Sequence, residues 1–393
     1  MALYVLLALR SEVEPGTRLL AQWYRPRLFE ASVEFIGIWV ALFVLYLIAV
    51  RAAAGRREGS FFAIIFVTSI LFRAALFLGS GFDHAAPGVF LYGPSPLTTF
   101  VAGLDLGLTA ERVVAAACDL GALALAPSLL KAARVPLGAA IIHGWNPLVI
   151  TEVAGSGRIA VVAFMLLLLS LRLIQTGQTG QTGQTGQTRA RWPAAIAYGV
   201  SLTGPLVLVA SIPLVAKAVR ARLVLTLGLA LVAWSVAFPE TTWMERAGWP
   251  PESTLGGSIT PALVALANLF VTRNESIPLA LVLAAWAVFV GVRSARSPNN
   301  AHAHLEVSEA LLALGSFVLV SIQVLPWAFV AFAYLAAYST NRGWLAFTAT
   351  APATYLAIEG GSWSFWLGFI QYFVPYAMLI FYWLGRPPRT AAG

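Results

Sequence analysis

The 393 residues are 59% hydrophobic and 11% charged, with a formal net charge of +8 and one cysteine, Cys118. Soluble domains carry about 25% charged residues, so a water-soluble enzyme or binding module is excluded. The apolar runs are continuous rather than alternating, which excludes a transmembrane β-barrel, and a lone cysteine excludes a disulfide framework.

What remains is an all-α, polytopic integral membrane protein. Its arginines fall in short loops, where they set topology rather than mark a nucleic-acid surface. Residues 1–9 are apolar but lack the basic start and small-residue site of a cleavable signal peptide, and they are too few to span. Residues 31–50 form the first run long enough to cross. The loop at 51–59 carries Arg51, Arg56 and Arg57 and is assigned to the cytoplasm. Residues 61–79 run outward, with Arg73 near the outer half. Arg73 reads either as a contact for a lipid phosphate or, by the ordinary behaviour of such a side chain, as an arginine snorkelling to the interface. The external loop 80–88 holds Asp83 and His84. Residues 89–108, broken by Pro94 and Pro96, read as a re-entrant or surface segment.

The run 109–130 returns inward, with Thr109 as N-cap and Glu111 in the first turn, where the helix dipole favours it. Asp105 and Asp119 are candidate buried carboxylates. Asp119, on an apolar helix, reads first as a bond to a neighbouring helix. Lys131 and Arg134 mark the cytoplasm again, and an outward run begins at residue 136. It reaches a short polar passage, residues 143–158, between two apolar stretches. That passage holds an Asn146-Pro147 break, the carboxylate of Glu152 and a Gly155-Ser156-Gly157 turn ending in Arg158. Residues 159–174 go back in.

A clean Gln-Thr-Gly repeat follows, and residues 175–191 read as a flexible cytoplasmic linker. Residues 192–216, with basic clusters on both sides, read as a broken hairpin that enters and returns. Residues 223–238 go out to a polar loop, 239–257, whose Trp243 and Trp249 suit the interface. The segment 259–271 is short for a span. Later runs are 278–292, 306–322, a helix opening at Pro326-Trp327, 344–358 and 362–384. Arg386 and Arg389 leave the C-terminus in the cytoplasm. The total is roughly 11 to 13 transmembrane or re-entrant helices in a single membrane domain covering 1–393, with no sizeable soluble part.

Three local patterns, in this order along the chain, carry a resemblance. They are Leu91-Tyr92-Gly93-Pro94, then Trp145-Asn146-Pro147 with Glu152-Val153-Ala154-Gly155-Ser156-Gly157, then Val324-Leu325-Pro326-Trp327. With Arg73 and Asp119, they resemble the GT-C superfamily of membrane glycosyltransferases, and most of all the polyprenyl-phosphate-dependent mannosyltransferases. The resemblance implies a GT-C-like fold and transfer of a hexose, mannose by the family's habit, from a polyprenyl phosphate to a lipid or glycan acceptor at the extracytoplasmic face. It implies the cytoplasmic membrane as location, no nucleic-acid partner, no cofactor and no metal.

Such a reaction needs a carboxylate to deprotonate the acceptor hydroxyl and cations to hold the phosphate. Asp83 is the candidate base. His84, Tyr92, Asn146, Glu152 and Arg158 are the candidate substrate-binding residues. Beside these stand plainer readings: Asp83 and His84 as a solvated loop pair, and Glu152 as a structural partner of Arg158. The chain departs from the family pattern where the acidic first external loop is mostly missing. It departs again where Gly157-Arg158-Ile159-Ala160 replaces the usual Gly-His-x-Asp, where the hairpin lysine is absent from residues 201–205, and where Pro326-Trp327-Ala328 replaces Pro-Trp-Tyr. These departures support an alternative: a catalytically inactive homologue that binds lipid-linked sugar or serves a partner membrane protein. A transporter is a third reading, without an inverted repeat to support it. His302 and His304, two apart in a charged loop, lack a third metal ligand in the sequence.

Overall fold

Among the described residues, three helices are long and apolar enough to cross a membrane: Ile36–Ala53, Gly59–Leu76 and Gly107–Ala132. The computed structural model describes residues 1–10, 29–79, 95–104, 106–179, 184–203, 281, 284–290, 292, 313–319, 326–338, 343–353, 371 and 373–381. Among these residues the chain is helix and turn, with no strand.

The elements in order are α1 (Ala2–Arg10), α2 (Phe29–Ala53), α3 (Gly59–Leu76), the short α4 (Pro96–Ala102) and α5 (Gly107–Ala132). A 3-10 turn (Leu137–Ala140), α6 (Ile141–Gly144), α7 (Pro147–Val149) and a π-turn (Ile150–Gly155) follow. Then come α8 (Ala160–Thr179), α9 (Gln184–Leu202), a 3-10 turn at Pro326–Phe329, α10 (Val330–Ala336) and α11 (Gly343–Thr350).

The first two long helices carry apolar side chains on both their inward and their outward faces, as lipid requires of the outer one. On α2, Trp39, Leu42, Phe43 and Tyr46 are buried while Val40, Val44, Leu45 and Ile48 are exposed. On α3, Ile65, Ser69 and Arg73 face inward while Ile64, Val67, Ile70 and Leu71 face outward. The outward faces are thus apolar, while Ser69 and Arg73 of α3 face inward, the arrangement a bilayer imposes on polar groups. Helix α5 follows the same rule with a buried stripe of Arg112, Ala115, Ala116, Asp119, Ala122, Leu123, Ala126, Leu129 and Leu130. Its spacing of three and four is one helix face, and its alanines let neighbours approach closely. A Cβ added at Gly121 would lie 3.1 Å from Met165 Sδ on α8.

The run after residue 136 is made of broken pieces that lie along α3. At one end Gly138 donates its N–H to Arg56 O at 2.9 Å. At the other, Ala154 O accepts from Arg112 near the C-terminal end of α3. Short helices are tolerated at membrane depth only where protein surrounds them, and Ile141, Ile142, His143, Leu148, Val149, Ile150 and Val153 are all buried. Asn146 makes the break orderly. Its Oδ1 accepts from Leu148 N (3.0 Å) and Val149 N (3.4 Å), the N-cap of a helix that starts on proline.

Several sequence expectations are corrected. Thr109 is not the cap of α5: the helix begins at Gly107, whose φ of +73° turns the chain into it, and Leu106 holds the cap position without a side-chain bond. Thr109 and Glu111 thus fall inside the helix. Helical backbone extends into the Gln-Thr-Gly repeat from both sides, to Thr179 and from Gln184, so the segment between α8 and α9 is shorter than the loop drawn at 175–191. Helices α8 and α9 lie against each other, with Ser170 Oγ donating to Ala194 O at 2.9 Å. Pro96 opens a seven-residue helix, and Pro326 opens a 3-10 turn that continues as α10. Of the expected hairpin, residues 204–216 lie outside the described residues, as do 223–257 and 259–271.

Candidate functional site

Among the described residues, three buried polar nodes bear on the candidate site. The first is built on Asp119 of α5, which is fully buried. Its Oδ2 accepts from Arg73 Nε at 2.6 Å and pairs with Arg73 Nη2. Its Oδ1 accepts from His143 Nε2 at 2.8 Å and from the Tyr334 hydroxyl. A carboxylate only accepts, so His143 carries its proton on Nε2. Arg73 Nη1 donates to Ser69 O and Gly144 O, both at 3.0 Å. The rings of His143 and Tyr334 lie 4.1 Å apart. Four elements, α3, α5, α6 and α10, thereby meet on one carboxylate. Arg73 is 1% exposed, which overturns the snorkelling expectation: a buried carboxylate one helix away outcompetes the distant interface. Asp119 does bond a neighbouring helix.

The second node is the Asn-Pro break. Asn146 Nδ2 donates to Thr348 Oγ1 (3.1 Å) and to Tyr46 Oη (3.3 Å), and Tyr46 in turn donates to Ile142 O (2.8 Å). Trp145 Nε1 donates to Thr68 Oγ1 at 2.8 Å. Both sides of the Asn146 amide are engaged with protein, so this candidate is part of the framework.

The third node joins the candidate stretches. Arg112 is 2% exposed. Its Nε donates to Ala154 O (2.9 Å), Nη1 to Gly79 O (3.0 Å) and Nη2 to Leu76 O (2.5 Å). Phe77 lies 4.7 Å below its guanidinium carbon. The last carbonyls of α3 carry negative partial charge, which offsets the buried cation. Arg112 was not singled out in the sequence, where Glu111-Arg112 looks like a solvated first turn. The signal that could have found it is an arginine in register with Asp119, seven residues on.

Glu152 sits in the π-turn and is 3% exposed. A π-turn is a one-residue insertion into a helix and recurs at functional sites. Arg158 Nε lies 3.9 Å from Glu152 Oε2, at the outer limit of an ion pair, and the arginine side chain is 25% exposed. Gly157, at φ +67°, makes the turn that brings the two together. A Cβ there would lie 3.1 Å from both Arg112 N and Arg112 Cγ, so the turn rests directly on α5.

Asn146, Glu152 and Arg158 are thus in place along one broken segment. Asp83, His84 and Tyr92 lie outside the described residues, as do Asp105, Trp243, Trp249, His302 and His304. Among the described residues no group of three His, Cys, Asp or Glu side chains is placed to hold a metal ion. No protein-family model, curated protein or solved structure matches this chain.

Proposed function

We propose that this chain is a GT-C-type glycosyltransferase of the cytoplasmic membrane that moves a hexose, mannose in the first instance, from a polyprenyl phosphate to a lipid or glycan acceptor at the extracytoplasmic face. The observation that supports it is the Arg112 guanidinium, which holds Gly79 O and Ala154 O at once. Gly79 is four residues before Asp83, and Ala154 is two residues after Glu152. The chain leaving α3 at Gly79 and the Glu152–Arg158 turn therefore meet at the same end of the described bundle. In this reading Asp83 takes the acceptor proton, Arg158 meets the phosphate, Glu152 orients Arg158, and His84 and Tyr92 flank the donor. The C-terminus is cytoplasmic.

The test is transfer of label from radiolabelled polyprenyl-phosphate mannose to a membrane-lipid extract by purified protein in lipid. Asp83→Asn should abolish transfer. Undiminished transfer by Asp83→Asn would remove Asp83 from the mechanism.

A second reading, an inactive homologue that binds lipid-linked sugar, is favoured by the burial of Asn146 and Glu152, at 0% and 3% exposed. Saturable binding of the donor without turnover, beside a competent transferase, would select it.

A further inference from the structure

Opposite the Arg112 end, two turns are locked together. The last turn of α2 and the turn after it carry Arg51, Arg56 and Arg57, and the last turn of α5 and the turn after it carry Lys131 and Arg134; all five side chains are exposed. Gly138 makes the contact. Its N–H donates to Arg56 O at 2.9 Å, and a Cβ at this position would lie 2.1 Å from Ala53 O. Among the described residues 51–59 and 131–138, Glu58 is the one carboxylate against five cations.

The end of α5 carries a second, independent observation. Val135 N donates to Leu130 O (2.9 Å) and Arg134 N to Lys131 O (3.1 Å), the pair of bonds that closes a helix with a left-handed residue. That residue is ordinarily glycine, as Gly55 is after α2 at φ +88°. Here it is Arg134, at φ +49°. A non-glycine residue in this conformation stores strain, and such strain gathers at functional positions. The chain keeps a cation where its backbone favours glycine.

We propose that this face is a seat for the headgroups of anionic phospholipids in the adjoining bilayer leaflet. The inference rests on the membrane-spanning helices and not on glycosyl transfer. Charge complementarity selects an anion. The exposed apolar faces of α2 and α3 start at this same end, so the anion is one anchored in the bilayer. A basic cluster immediately beside a membrane helix is the usual form of such a site.

The test is lipid selection by the full chain. The protein is reconstituted in nanodiscs of equal phosphatidylglycerol and phosphatidylcholine, extracted mildly, and its retained lipids are counted by native mass spectrometry. Wild-type protein should retain phosphatidylglycerol preferentially, by about fivefold for each cation engaged at low ionic strength, and raised salt should reduce the preference. R56Q/R57Q/R134G should lose it. R134G alone should weaken retention while raising the thermal unfolding midpoint, because it removes the charge and the strain together. Equal retention of the two lipids by wild type, an undiminished preference in the triple variant, or a lowered midpoint in R134G would each overturn the proposal.

Discussion

Asp119 and Arg73, 46 residues apart in sequence, share a buried ion pair in which Asp119 Oδ2 accepts from Arg73 Nε at 2.6 Å. Burying two charges is favourable only when their remaining donors and acceptors are also satisfied. Here His143 and Tyr334 complete the carboxylate, and Ser69 O and Gly144 O accept from Nη1 of the guanidinium. Asp119→Asn leaves the arginine without its counter-charge and should lose about 3–5 kcal/mol. Tyr334→Phe removes one donor from a carboxylate that keeps the others and should lose about 1–3 kcal/mol. Pairing Asp119→Asn with Arg73→Met should recover part of the larger loss. Unfolding in detergent measures all three. If Asp119→Asn costs no more than Tyr334→Phe, the pair does not hold the bundle.

Asn146 is a joint as well as a cap. Ala at this position loses the two cap bonds and strands Thr348 Oγ1 and Tyr46 Oη as acceptors. A lost cap costs about 0.5–2 kcal/mol, and unmet buried groups add about 1–3 kcal/mol. Asn146→Ser keeps a cap acceptor but cannot reach both hydroxyls, so its stability should fall between wild type and Ala. Equal losses for Ser and Ala in thermal unfolding would assign the whole effect to the amide bonds with Tyr46 and Thr348.

The break at Asn146-Pro147 was legible because proline has no N–H and asparagine is a preferred cap; those rules are local. So were the ends of α2 and α3, where continuous apolar sequence stops at Arg51 and Gly79. Arg73 was not legible in the same way. An arginine near the end of an apolar run looks the same whether it reaches water or a carboxylate, and its partner is one helix away. The π-turn at Ile150–Gly155 was hidden for another reason: an insertion of one residue leaves too few residues to show a changed period. The role of Arg112 depends on backbone carbonyls, which every sequence has and none advertises.

Two glycines make opposite predictions. A Cβ at Gly138 would lie 2.1 Å from a backbone oxygen, Ala53 O, whereas a Cβ at Gly37 would meet nothing within 4 Å. Gly138→Ala therefore forces the two basic turns apart, at about 1–3 kcal/mol. Gly37→Ala, inside α2, should stabilise by about 0.5–1 kcal/mol. The unfolding midpoints should move in opposite directions. A neutral Gly138→Ala would mean that the two turns are not held in this contact.

Arg112 gives the prediction that bears most on the candidate site. Its planar guanidinium serves the carbonyls of Leu76, Gly79 and Ala154 from Nη2, Nη1 and Nε. Lysine supplies the same charge from a single point and cannot span that fork. Arg112→Lys should therefore behave more like Arg112→Met than like wild type, even though Lys conserves the charge. Lys should also free Ala154 O or Gly79 O, because one ammonium cannot reach both ends. Spin labels on Thr109 and Arg158 would then report a broader distance distribution in Arg112→Lys than in the parent. If Lys matched wild type in both stability and distance, the cation alone would be the requirement. The π-turn carrying Glu152 would then be positioned by Gly157 and its packing on α5, not by the fork of hydrogen bonds.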